Sequence, residues 1–115
     1  MKENVVKDKS FDFAVRIVNL YKHLSQEKKE FVLSKQLLRS GASVGANVEE
    51  ALGGISKADF RAKLGTAYKE ARETGYWLRL LHATDYLNDK EFESAFSDSD
   101  ELRKILFTII KNTSK

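Results

Sequence analysis

Apolar residues recur at the spacing of an α-helix along almost the whole chain, and no proline interrupts them. Near the start, Phe13, Ile17, Leu20 and Leu24 follow one another at intervals of three or four residues. This spacing places them on one helical face, and proline is the residue that breaks helices most strongly. No segment shows a sustained alternation of apolar and polar residues, which would predict a strand. The sequence therefore predicts an all-α fold.

Cap and turn signals predict where the first two helices begin and end. Ser10 is the expected N-cap of the first helix, and a short turn at 25–27 should end it. The second helix should then run from Glu27 to Leu52, because the glycine pair at 53–54 is a strong helix stop.

The third and fourth helices are predicted in the same way. A capping-box pattern at 56–59 precedes the third helix, which should reach Tyr86. The fourth should run from Lys90 to Asn112, with residues 97–99 as a point where it could be interrupted. Because four helices with short connections pack with neighbours antiparallel, the fold class predicted is an antiparallel up-down four-helix bundle. All 115 residues are expected to form one domain.

The middle of the second helix, residues 40–47, is rich in small residues. Each glycine there costs about 1 kcal/mol of helix propensity, so a loop is the competing interpretation. Apolar spacing persists through the segment and favours the helix, whose inner face is predicted to carry Phe31, Leu37, Val44, Val48 and Ala51.

The composition gives no positive sign of an enzyme, a cofactor or a membrane span. Cysteine is absent, which excludes disulfides and thiolate chemistry. The histidines, His23 and His82, do not follow a glutamate at the spacing of di-iron bundles, and no glycine-rich phosphate loop is present. No apolar run approaches the length of a membrane span, and no export signal is evident. We therefore expect no catalytic residues, no metal, no cofactor and a cytoplasmic location.

A row of basic residues is predicted along one flank of the third helix. Such a row suits contact with nucleic-acid phosphates without sequence readout, and Tyr76 could interleave as an aromatic platform. The alternative is an ordinary solvated face with intrahelical pairs such as Lys69 with Glu73. The candidate nucleic-acid-binding residues are Lys57, Arg61, Lys69, Arg72 and Arg79.

A polar stripe on the second helix is expected to meet a polar stripe on the third. Counting back from the 53–54 turn places Arg39 near Glu70, and we predict an ion pair between them. A network of this kind fixes the register of two helices more than it adds stability. Its predicted members are Gln36, Arg39, Ser43, Asn47, Glu50, Glu70 and Glu73.

Two apolar side chains, Tyr76 and Leu80, fall on the outer face of the third helix, opposite its predicted core. They are predicted to form a contact between subunits, with partial burial against the fourth helix or the N-terminus as the alternative.

Two segments resemble a known family. They read QLLRSGASVGANVEEA over 36–51 and SKADF over 56–60, followed by a pattern of Lys-Glu-Ala, Glu-Thr and Tyr-Trp-Leu through 69–78. These residues resemble the four-helix-bundle proteins encoded in intervening sequences of bacterial 23S ribosomal RNA genes. A relative of that family is the accessory variability protein of diversity-generating retroelements. The family usually has Glu-Gly where this chain has Glu50-Ala51, which leaves the end of the second helix open.

The resemblance implies an up-down bundle that assembles as a homo-oligomeric ring, commonly a pentamer. It also implies a basic surface suited to nucleic acid and no known enzymatic activity. We therefore expect a non-enzymatic, oligomeric protein that binds RNA or DNA. The alternative is a scaffold that docks a partner protein and has no nucleic-acid role.

Overall fold

The structure, a computed structural model, describes the chain from residue 2 to residue 113, with side chains from residue 5 onward. Four α-helices follow one another in chain order. They are α1 (Lys2–Gln26), α2 (Leu33–Leu52), α3 (Lys57–Ala83) and α4 (Asp89–Thr113). Each helix packs against its neighbours in sequence, and α1 closes the square against α4. The predicted all-α four-helix bundle is confirmed.

One core runs the length of the bundle, whose principal extents are 44 × 20 × 19 Å. Ile17, Leu37, Leu78 and Leu106 represent the four helices in it, and all four side chains are fully buried. The prediction that Phe31 lies on the inner face of α2 is wrong. Phe31 lies before the helix and is 52% exposed.

The first helix begins well before the predicted cap. Ser10 lies inside α1, where it is buried and its hydroxyl donates to the Lys7 carbonyl at 3.1 Å. A serine can satisfy its hydroxyl within a helix in this way, so its presence does not require a helix start. The Ser10 carbonyl oxygen also lies close to α2. A Cβ added at Gly45 of α2 would lie 3.2 Å from this oxygen.

The second helix starts later than predicted because Glu30 folds its side chain over the start of α2. The carboxylate accepts hydrogen bonds from the backbone N–H groups of Val32, Leu33 and Ser34 at 3.1, 3.0 and 2.6 Å. Lys29 has a φ of 57°, which turns the chain before the helix. Residues 40–47, for which a loop was the alternative, are helical throughout.

The third and fourth helices have well-defined caps. Ser56 accepts from the Asp59 N–H at 3.0 Å, as the capping box predicts. Asn88 and Glu91 exchange hydrogen bonds of 2.8 and 2.9 Å before α4, a second reciprocal cap. The predicted end of α3 at Tyr86 is three residues too late, since the chain turns at Asp85 with a φ of 69°.

The helix α4 is continuous where an interruption at 97–99 was considered. Ser99 is buried in the α3–α4 contact, and its hydroxyl donates to the Ala71 carbonyl at 3.1 Å. The polar run therefore marks a close approach of two helices. No helix in the described part of the chain combines the length and apolar character needed to cross a bilayer.

Candidate nucleic-acid interface

A polar network connects α2 with α3. Arg39 extends from α2, and its Nη1 lies 3.2 Å from Glu70 Oε2. Its other terminal nitrogen bonds to Glu73, and its Nε donates to Gln36 Oε1 at 3.2 Å. The structure thus brings together Arg39 and Glu70, the pair predicted by counting from the turn, and adds Glu73 to it.

Further polar contacts extend this α2–α3 seam along both helices. One residue beyond Arg39, the buried Ser40 accepts a hydrogen bond of 2.9 Å from the Thr74 hydroxyl. Nearer the 53–56 turn, Lys63 Nζ lies 3.0 Å from Glu50 Oε1. The hydrogen bond and charge of Glu50 raise the pKa of Lys63.

Besides Gln36, whose bond to Arg39 lies within α2, two predicted members of the network bond within their own helix. The Ser43 hydroxyl donates to the Arg39 carbonyl at 2.7 Å, and the Asn47 amide donates to the Ser43 carbonyl at 2.9 Å. Short polar side chains readily reach the carbonyl one helical turn back. For these two residues the prediction of bonds across the helix pair is corrected.

The predicted basic row lies exposed along α3. Arg61 and Arg79 are 18 residues apart, which is five full turns and about 27 Å of helix, so they share one face. Arg61, Lys69, Arg72 and Arg79 form no ion pair with another described residue. Lys57, the fifth predicted residue, is also exposed at the start of the row. We call these five residues the basic row.

The absence of ion pairs at Arg61, Arg72 and Arg79 has a cause in the sequence of α3. None of the three arginines has an aspartate or glutamate three or four residues away, where an intrahelical pair would form. Lys69 does have Glu73 at that spacing, but Glu73 is bonded to Arg39 and to Trp77. The intrahelical pair named for the alternative, Lys69 with Glu73, is therefore not formed.

A groove between α3 and α4 is lined by two residues of the basic row, Arg72 and Arg79. It has a volume of about 410 Å³ and contains three arginines and one aspartate, a net charge of +2. We call it the Arg72 groove, and its main lining residues are Arg72, Tyr76, Arg79, Phe96, Asp100 and Arg103.

The aspartate of this groove is already paired on its own helix. Asp100 accepts from Arg103 at 2.7 Å and lies 3.0 Å from Lys104 Nζ. The hydrogen bond from Arg103, followed by that from Lys104, lowers the pKa of Asp100. The same hydrogen bond raises the pKa of Arg103. The negative charge is thus balanced within α4, which leaves Arg72 and Arg79 uncompensated.

A second groove lies nearer the 53–56 turn. It has a volume of about 630 Å³, and its basic residues are Lys57 and Arg61. Its other described lining residues carry no aromatic ring and no carboxylate: Ala58, Ala62, Gly65, Ile110 and Thr113. We call it the Arg61 groove. The two grooves place four of the five basic-row residues along the same α3–α4 side of the bundle.

Tyr76 belongs to the Arg72 groove, and its ring is held from one side. It is 51% exposed, and its ring meets Trp77 edge-on at a centroid distance of 5.0 Å. Trp77 in turn donates to Glu73 Oε2 at 2.8 Å, which ties the aromatic pair to the α2–α3 network. Leu80, its partner in the predicted subunit contact, is half-buried.

The remaining ionisable groups do not gather into a metal site. No group of three or more histidine or acidic side chains in the described chain is arranged to hold a metal ion. His82 lies 2.7 Å from Asp89 and stacks on Phe92 at 4.3 Å, while His23 lies 3.6 Å from Glu91. Both histidines thus contact the beginning of α4.

Sequence reasoning missed the α4 side of the groove. Arg103 and Phe96 were not singled out, because the basic row was read from α3 alone. The counting that paired Arg39 with Glu70 would have found them if applied to the 84–88 turn. That count places Gly75 opposite residues 96–99. In the structure, a Cβ added at Gly75 would lie 3.4 Å from Phe96 Cε1.

These features define an all-helical bundle with a tied α2–α3 seam and a basic α3–α4 face. A model of the 23S rRNA-intervening sequence protein family matches residues 2–108, so the chain belongs to this family. It is similar to a solved structure of a Bacteroides thetaiotaomicron protein of unknown function from the S23 ribosomal protein family. That similarity has a TM-score of 0.95 and 60% identity, and covers 96% of this chain and 99% of that one. A comparison with curated proteins finds no match.

Proposed function

We propose that this protein is a non-enzymatic nucleic-acid-binding protein that contacts RNA phosphates through the basic row. The observation that carries the proposal is a set of four cations on α3 that no carboxylate of the described chain neutralises: Arg61, Lys69, Arg72 and Arg79. Contacts of this kind release counterions, so affinity falls steeply as salt rises. The family description names 23S rRNA, which makes a structured RNA the first ligand to test.

The test compares binding of a fluorescent RNA hairpin across a salt series for the native chain and a triple variant. The variant combines Arg61→Ala, Arg72→Ala and Arg79→Ala. If each arginine contacts one phosphate, the slope of log affinity against log salt should decrease by roughly two to three. The affinity at low salt should also fall.

A matched control changes the net charge equally at a different surface. Lys22, Lys28 and Lys35 are exposed on α1, the following loop and α2, and none of them lines either groove. Their combined change to alanine should leave most of the affinity intact. Equal losses of affinity in both triple variants would show that binding depends only on net charge, and this would contradict the proposal. Absence of salt-dependent binding in the native chain would favour the alternative, a scaffold for a partner protein.

A further inference from the structure

We propose that the Arg72 groove binds unpaired nucleotides, with one base stacked on Tyr76 and its flanking phosphates on the surrounding arginines. This inference rests on the proposed function and specifies the substrate class: a single-stranded segment or loop. It starts from the difference between the two grooves. Both are basic, but the Arg72 groove carries aromatic side chains and the Arg61 groove carries none.

The position of Tyr76 within the charges is the first argument. Arg72 precedes it by four residues and Arg79 follows it by three, so all three side chains share one face of α3. Arg103 lies across the groove on α4. Cations on both sides of an exposed ring match the structure of a nucleotide chain, where phosphates flank each planar base.

The ring is also pre-oriented. Tyr76 rests edge-on against Trp77, Trp77 bonds to Glu73, and Glu73 bonds to Arg39 of α2. A side chain that is already positioned loses little conformational freedom on binding. The groove volume of about 410 Å³ falls within the range of pockets that hold small ligands.

Duplex RNA cannot use the aromatic part of such a groove. Its bases are stacked on one another and present only edges, so a duplex would gain from the arginines and not from the ring. Unpaired bases expose a face that stacks on an aromatic side chain. Tyr76 therefore favours single strands and loops over helical RNA.

The test measures anisotropy of a labelled oligoadenylate, alone and annealed to its complement. Tyr76→Ala should weaken single-strand binding by about 5- to 150-fold, the range of base–aromatic stacking. It should change duplex binding by less than about twofold, because phosphate contacts remain. Tyr76→Phe should keep the affinity for the single strand.

The control is Phe11→Ala, since Phe11 is an aromatic residue 64% exposed on α1, outside both grooves. It should change neither affinity. Equal weakening of both ligands by Tyr76→Ala, or a preference of the native chain for duplex, would overturn the inference. Dissociation of an oligomer by Tyr76→Ala in light scattering would also overturn it, since Tyr76 would then be a subunit contact.

The experiments distinguish a failure of this inference from a failure of the proposed function. If the native chain binds duplex and the arginine triple variant does not, the proposed function stands even where Tyr76→Ala has no effect. If the native chain binds neither RNA, both proposals are wrong.

Discussion

Lys29 adopts a backbone conformation that suits glycine better than lysine. Its φ of 57° is in the left-handed region, and its side chain is exposed in the loop before α2. A residue with a Cβ pays about 1–2 kcal/mol there, whereas glycine does not.

We therefore expect Lys29→Gly to raise the free energy of unfolding by about 0.5–1 kcal/mol, measured by urea denaturation. The control is Lys28→Gly, because Lys28 is exposed in the same loop with a negative φ. That change should lower stability. Equal effects of the two substitutions would show that the conformation at Lys29 carries no strain.

Glu30 is a buried carboxylate that acts as a cap for α2, and only 8% of the residue is exposed. Burial raises its pKa, but hydrogen bonds from the Leu33, Ser34 and Val32 backbones and from the Ser34 side chain outweigh it. The net pKa is lowered. A folded-state pKa below the unfolded value stabilises the protein above the unfolded pKa, and this is lost as pH falls through the folded value.

Glu30→Gln should therefore destabilise the protein at neutral pH by about 1–3 kcal/mol, because the amide places N–H groups against backbone donors. The difference between native and variant should shrink as the pH falls into the acidic range. Thermal melts across pH, with exposed Glu27→Gln as the control, measure this difference. A difference that is constant with pH would contradict the role of the charge.

At the scale of elements, two glycines in helices differ in what surrounds them. A Cβ on Gly41 of α2 would lie 2.7 Å from Ile17 Cγ2 of α1, whereas a Cβ on Gly65 of α3 would meet nothing within 4 Å. Gly41 is therefore needed for the close approach of α1 and α2. Gly65 only weakens its own helix.

The matched pair Gly41→Ala and Gly65→Ala should shift stability in opposite directions. Gly41→Ala should cost about 1–3 kcal/mol through overpacking against Ile17. Gly65→Ala should add about 0.5–1 kcal/mol through helix propensity. The midpoints of urea denaturation of the two variants test this prediction. If helix propensity alone mattered, both substitutions would stabilise the protein.

Ion pairs also connect α1 with α4. The α1–α4 seam carries Lys9 with Glu101 at 3.1 Å and Arg16 with Asp98 at 2.9 Å. The two pairs agree with an antiparallel arrangement, because the residue number rises along α1 while it falls along α4. Their side chains are partly exposed, so each pair contributes at most about 1 kcal/mol. They fix how α1 and α4 align more than how tightly they pack.

For the whole molecule, self-association remains a prediction from the sequence. Leu80 is half-buried on the outer side of α3 and is absent from the buried core. Leu80→Lys should therefore convert an oligomer to a monomer with unchanged helical circular dichroism. Light scattering at micromolar concentration measures the mass, and Val32→Lys, at an exposed loop position, is the control. An unchanged mass in Leu80→Lys would remove this residue from any subunit contact.

Several features follow from the sequence because they depend on residues close together in the chain. Apolar spacing located four helices, and Ser56 marked the start of α3. The Arg39–Glu70 pairing could be counted because the short turn at 53–56 limits the register of α2 against α3. The α1 start was missed because a serine inside a helix looks the same in sequence as a cap.

Other features were decided only by the packing of the helices. The position of Glu30 over α2 depends on a turn at Lys29 that the sequence does not mark. Glu73 could have paired with Lys69 along α3, but the approach of α2 brings Arg39 to it instead. Lys69 is thereby left charged and unpaired, and Arg103 reaches the same face from α4. Helices form from local spacing, whereas the charges left over for a ligand depend on which side chains packing brings into contact.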